Sequence, residues 1–117
     1  MNEATEHNIK RKSQWADQVQ LYNGIPLPSW IEISPTNLCN RRCAFCPHGD
    51  PSYPNDRVYL SLGLCSKIAD ELQELDYRGA IILSGFGEPL LHPEIVEVCK
   101  ILSRGGRLEI VTSGDRL

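Results

Sequence analysis

No run of apolar residues in this 117-residue sequence is long enough to cross a bilayer as a helix. Met1 to Lys12 is polar and lacks the apolar stretch of a secretory signal, so the expected compartment is the cytoplasm and no membrane partner is expected. Nor are basic residues gathered into a stripe. Lys10-Arg11-Lys12 and Arg41-Arg42 are separate patches in a chain of formal net charge -3, and nothing marks it for nucleic acid. Length is short as well. With 41% hydrophobic and 23% charged residues the composition is that of an ordinary globular domain, but one this small buries a small core and cannot complete an architecture of many strands.

Five cysteines are present. Without an export signal they are not expected to form a disulfide framework, because the cytosol keeps thiols reduced, and metal binding or catalysis is the better explanation. Cys39, Cys43 and Cys46 fall within one short segment, whereas Cys65 and Cys99 stand alone. The latter two lie on the apolar sides of expected helices, where a free cysteine packs as a small hydrophobe, and neither is expected to be a ligand.

Met1 to Gln20 is polar with weak helical periodicity, and Asn23-Gly24-Ile25-Pro26-Leu27-Pro28 breaks any helix. Residues 1–28 are therefore read as a polar arm and linker, and 29–117 as the folded domain. Trp30-Ile31-Glu32-Ile33 reads as a strand stopped by Ser34-Pro35. Leu64, Ile68, Leu72 and Leu75 recur at helical spacing, with Ser61 as N-cap and Gly79 beyond the end. Ala80-Ile81-Ile82-Leu83 is a continuous apolar run suited to a parallel strand covered on both faces. Pro93 opens a second helix through Ile95, Val98, Cys99 and Leu102, ended by Gly105-Gly106, and Leu108-Glu109-Ile110-Val111 is a third strand. Strands alternating with helices predict an α/β fold with parallel strands, in which ligands gather at the carboxyl ends of the strands. The cysteines, the turn Gly85-Phe86-Gly87-Glu88-Pro89, and Thr112-Ser113-Gly114 each follow one strand, so all three are expected at one mouth.

Three thiols separated by three and then two residues on an irregular loop can wrap one metal centre, with backbone N–H groups turned inward. Thiolates suit zinc or iron–sulfur clusters. A structural zinc normally takes four ligands, and His48 would complete a Cys₃His set. Three cysteines on a cubane instead leave one iron open to an outside molecule.

The segment Cys39-Asn-Arg-Arg-Cys43-Ala-Phe-Cys46 resembles the cluster loop of radical S-adenosylmethionine (radical SAM) enzymes, including aromatic Phe45 before the last cysteine. Gly85-Phe86-Gly87-Glu88-Pro89 resembles the family's Gly-Gly-Glu-Pro turn, with Phe86 in the place of a glycine. Thr112-Ser113-Gly114 resembles its Thr-Asn-Gly, with Ser113 in the place of asparagine. The likeness runs from Trp30 to Leu117 and implies a partial (β/α) barrel of the radical SAM type, its first three parallel strands with intervening helices. It also implies a 4Fe-4S cluster on Cys39, Cys43 and Cys46. S-adenosylmethionine would chelate the open iron, with its amino group held by the backbone around Gly85, Phe86, Gly87 and Glu88, Phe45 near the adenine, and Thr112 and Ser113 as candidates for the carboxylate.

The activity implied is reductive cleavage of the sulfonium, driven by an external flavodoxin- or ferredoxin-like electron donor, to a 5′-deoxyadenosyl radical that takes hydrogen from an unidentified substrate. For Glu88 a structural or cofactor contact fits better than proton transfer, Arg41 and Arg42 read as solvated, and His92 reads as a capping or surface residue. Because three strands are fewer than the family's barrel requires, the resemblance also implies an incomplete substrate pocket and association through the open barrel edge. The alternatives are a non-catalytic cluster-binding module that needs a partner and a zinc-stabilised interaction domain.

Overall fold

The computed structural model describes residues 1–16 and 18–117. Three parallel strands, β3 (Trp30–Ile33), β4 (Ala80–Leu83) and β5 (Arg107–Ile110), form a sheet in the order β3-β4-β5. Ile31, Ile81 and Leu108 stand in register, as do Ile33, Leu83 and Ile110. β4 is central and every one of its residues is buried, which is why it reads as an unbroken apolar run rather than an alternating one. β5 begins at Arg107, one residue earlier than expected, while Val111 still donates its N–H to Leu83 O at 2.9 Å.

α2 (Leu62–Glu74) starts where Ser61 has extended backbone and its Oγ accepts from Leu64 N at 3.2 Å, a cap worth about 1 kcal/mol. Its buried positions, Cys65, Ala69 and Leu72, recur at helical spacing and face the sheet. The stop differs from expectation. Asp76, not Gly79, takes the left-handed conformation (φ 49°), with Asp76 N bonded to Gln73 O and Tyr77 N to Leu72 O, the paired pattern of a Schellman motif. Gly79 serves packing instead, since a Cβ there would lie 2.2 Å from the Tyr77 hydroxyl oxygen.

α3 (Ile95–Leu102) begins two residues after Pro93. A 3₁₀ turn at Pro89–Leu91 and the buried His92 occupy the entry, where His92 Nδ1 accepts from Glu94 N at 3.0 Å and Nε2 donates to Leu60 O at 2.8 Å. His92 is thus a buried capping residue. α2 and α3 pack on each other and on one sheet face, so that Cys65, Leu83, Val98 and Leu102 form one core cluster and Leu72, Tyr77 and Ile81 another.

α1 (Glu3–Ala16) lies toward the opposite face: Arg11 pairs with Glu109, and Lys12 Nζ stands 5.8 Å from the Trp30 ring centroid. The segment expected to be a linker contains a hairpin, β1 (Leu21–Tyr22) with β2 (Ile25–Pro26), turned by Asn23 and Gly24, both at positive φ. Asn-Gly between apolar pairs is a strong two-residue hairpin signal, and reading Gly24 and Pro26 as breakers passes over it. Gln20 ties the hairpin to the end of α2, donating to Asp76 O at 2.7 Å and accepting from Arg78 N at 2.9 Å. Among the described residues no helix is long and apolar enough to cross a membrane.

Candidate metal centre at the carboxyl ends of the strands

The segment after β3 has little regular structure, so its shape depends on bonds to distant residues. Thr36 forms an antiparallel bridge with Tyr59, and its hydroxyl donates to Val58 O at 2.8 Å while accepting from Leu38 N at 3.1 Å. Cys39 is gripped from both sides of its peptide: its N–H donates to Asn55 Oδ1 at 2.8 Å, and Asn55 Nδ2 donates back to Cys39 O at 3.0 Å. The N–H of Arg41 points at Cys39 Sγ, 3.5 Å away, an inward-turned amide of the kind a thiolate cluster needs. Cys46 N donates to Cys43 O at 3.0 Å, and Gly49 packs so closely that a Cβ there would lie 2.8 Å from Cys43 O.

Cys39, Cys43 and Cys46 are free and half-buried. Cys65 and Cys99 lie in the helices, and burial pushes both thiols above their ordinary value, which makes poor ligands of them. His48 is buried with its ring edge against Tyr53, centroids 4.9 Å apart, and its Nε2 has no hydrogen-bond partner among the described residues. No three His, Cys, Asp or Glu side chains among the described residues are gathered as around one ion. A cubane takes each thiolate at a separate iron, and three soft, unpaired thiols on one irregular loop fit that donor set.

The turn after β4 lies directly on this loop. Gly85 has φ 111°, and a Cβ there would stand 2.5 Å from Ser34 Oγ. A Cβ on Gly87 would be 1.9 Å from Thr36 O, so this glycine admits the backbone of the first loop. Glu88 N donates to Leu38 O at 2.8 Å. The Glu88 side chain, 4% exposed, accepts from Leu90 N at 3.1 Å, from the Thr112 hydroxyl, and from Ser113 N at 2.8 Å. Burial alone would raise its carboxyl, but these donors outweigh burial and hold it below its ordinary value.

The three segments expected at one mouth are therefore bonded together, with Glu88 at the join. Of Thr112 and Ser113, the candidates for a ligand carboxylate, the Thr112 hydroxyl and the Ser113 N–H donate to Glu88 in this structure. Phe45 and Phe86 are exposed, at 94% and 59%, and hold apolar surface open beside the loops. One residue of the site, Asn55, has no counterpart among the sequence expectations and carries no local signal. Arg41 is exposed, as expected, and also grips Asp115 through Nε and Nη2.

A parallel three-stranded sheet whose strand ends join a three-thiol loop to a glycine-rich turn defines an α/β protein with its candidate site at the carboxyl ends of the strands. The model of the radical SAM superfamily matches residues 33–117, and the chain belongs to that superfamily. Members use a 4Fe-4S cluster and S-adenosylmethionine.

The chain is 33% identical over 63 residues to the S-adenosyl-L-methionine-dependent 2-deoxy-scyllo-inosamine dehydrogenase of Niallia circulans, covering 54% of this chain and 25% of that protein. It is 31% identical over 88 residues to the GTP 3′,8-cyclase of Limosilactobacillus fermentum, covering 74% and 26%. Both relatives are enzymes, and the chain spans about a quarter of their length. Among solved structures it resembles BtrN in complex with AdoMet and 2-DOIA, with TM-score 0.65 and 30% identity over 78% of this chain and 38% of that one.

Proposed function

We propose that this chain is the cluster- and cofactor-binding part of a radical SAM enzyme, with Cys39, Cys43 and Cys46 each ligating one iron of a 4Fe-4S cluster. The observation that carries the reading is the bonding of three strand ends through Glu88, which sets the thiol loop beside the Gly85–Glu88 turn and the Thr112-Ser113 segment. When bound, cluster and S-adenosylmethionine supply a 5′-deoxyadenosyl radical that abstracts a hydrogen atom from substrate.

The residues of the chain bind and orient. The Arg41 N–H aimed at Cys39 Sγ stabilises negative charge on sulfur. The backbone around Gly85, Phe86, Gly87 and Glu88 would hold the amino group of the cofactor, with Phe45 near its adenine and Thr112 and Ser113 as candidates for its carboxylate. The Ser113 hydroxyl accepts from Asp115 N at 3.4 Å and faces the Glu88 and Asp115 carboxylates.

An external reductant, flavodoxin- or ferredoxin-like, delivers the electron, and the reducing cytoplasm is the compartment that keeps the thiols available. Among the described residues β3 and β5 each pair with β4 alone, which leaves both edges for further strands of a (β/α) barrel or for association with another polypeptide. The substrate is unidentified.

Anaerobic reconstitution with iron and sulfide should give about four irons per chain, as one cubane requires, and Cys43→Ala should abolish the cluster. S-adenosylmethionine should then shift the electron paramagnetic resonance spectrum of the reduced protein. A colourless chain holding one zinc supports the interaction-domain reading. A cluster whose spectrum ignores saturating cofactor supports a non-catalytic module.

A further inference from the structure

Arg41 stands between the first two cysteines of the loop and holds a residue 74 positions away. Its Nε donates to Asp115 Oδ2 at 2.7 Å and its Nη2 to Oδ1, the two-pronged geometry that a guanidinium offers and an ammonium does not. Asn40 Nδ2 adds a third contact to Oδ2 at 3.3 Å. Asp115 is in turn fastened to the third strand end, its N–H donating to Ser113 Oγ at 3.4 Å, and Ser113 N donates to Glu88. Glu88 N returns to Leu38 O.

These bonds close a circuit through all three strand ends. It meets the thiol loop twice, at Leu38 just before Cys39 and at Asn40-Arg41 just after it. Between Arg41 and the turn at Cys43–Cys46, Asp115 is the one long-range side-chain tether among the described residues.

We propose that Asp115 is a positioning residue for the metal loop: through Arg41 and Asn40 it holds the Cys39–Cys43 segment against the third strand end and so sets the geometry of the thiol ligands. The proposal rests on the reading of Cys39 and Cys43 as ligands. It concerns a carboxylate whose bonds run to Arg41, Asn40 and Ser113.

The test uses the full chain and four variants: Asp115→Ala, Asp115→Asn, Arg41→Lys, and the charge-swapped double variant Arg41→Asp with Asp115→Arg. In the iron-free protein, amide hydrogen exchange across residues 39–46 should quicken roughly two- to fivefold in the three single variants, the scale of losing a partly exposed but two-pronged pair. Exchange in α2 should not change, and the charge swap should restore much of the protection.

In the reconstituted protein the g-values of the reduced cluster should shift in the single variants and return in the swapped one, and iron loss to a chelator should follow the same order. Unchanged exchange at 39–46 in Asp115→Ala, or a swapped variant as loose as the singles, overturns the proposal. Failure of the unaltered chain to take up iron refutes the ligand reading instead, and the exchange measurement on the iron-free chain still decides the tether.

Discussion

Alanine at Gly87 would put a methyl carbon 1.9 Å from Thr36 O, 2.8 Å from Thr36 C and 3.0 Å from Leu38 O. All three are backbone atoms, so no side-chain rotation relieves the overlap. A carbon–oxygen contact ordinarily settles near about 3.3 Å, and the two loops must separate by more than about 1 Å. The Glu88 N–H to Leu38 O bond, 2.8 Å long, would be stretched past hydrogen-bonding range. Overpacking of this kind costs about 1–3 kcal/mol and the lost bond about 1 kcal/mol more, for an expected loss of about 2–4 kcal/mol.

Gly63 provides the opposite case. It lies in α2, and a Cβ there would meet nothing within 4 Å, so alanine should stabilise the chain by about 0.5–1 kcal/mol. Urea unfolding followed by circular dichroism, with a shared slope for both variants, measures the two shifts directly. If Gly87→Ala unfolds within about 0.5 kcal/mol of the unaltered chain, the close approach of the two loops is not rigid and the argument from it is wrong.

Leu102 is fully buried against Cys65, Leu83 and Val98, and Leu102→Ala should cost about 2–5 kcal/mol in the same urea assay, whereas a loss under about 1 kcal/mol would mean that this cluster is not the core. Glu88 tests the charge. Its carboxyl is held below the ordinary value of 4.5, so the stability it contributes is complete above that value and is lost as pH falls through the lower folded-state value. Glu88→Gln should therefore lower the urea midpoint at neutral pH and make its decline on acidification shallower, with Asp50, Glu109 and Asp115, also held below their ordinary values, contributing to the slope that remains. An acid limb as steep in Glu88→Gln as in the unaltered chain would remove Glu88 from that role.

Elements whose cause is local are legible in the sequence alone. Ser61 sets the start of its helix because its own hydroxyl satisfies an amide three residues on, and Cys65, Ala69 and Leu72 face one way because of helical spacing. The apolar run Ala80–Leu83 suits a strand covered on both faces, and three thiols in eight positions are placed to act together. The Asn23-Gly24 hairpin is equally local, and it becomes legible once the turn is weighed above the breakers around it.

Tertiary structure decided what depends on residues far apart in the chain. That Asp76 rather than Gly79 ends α2 follows from Tyr77 packing with Leu72 and Ile81, and Gly79 is then required by the Tyr77 ring. Asn55 on Cys39, Glu88 on Thr112 and Ser113, and Asp115 on Arg41 are bonds between loops 16 to 74 positions apart, and neither partner carries a mark of the other in its own neighbourhood. Spacing along the sequence determined which residues offer thiols and where strands and helices run, because those choices rest on contacts within a turn or two. Which amides and carboxylates hold the thiol loop in shape was decided only when parallel strands in register brought three strand ends to one end of the sheet.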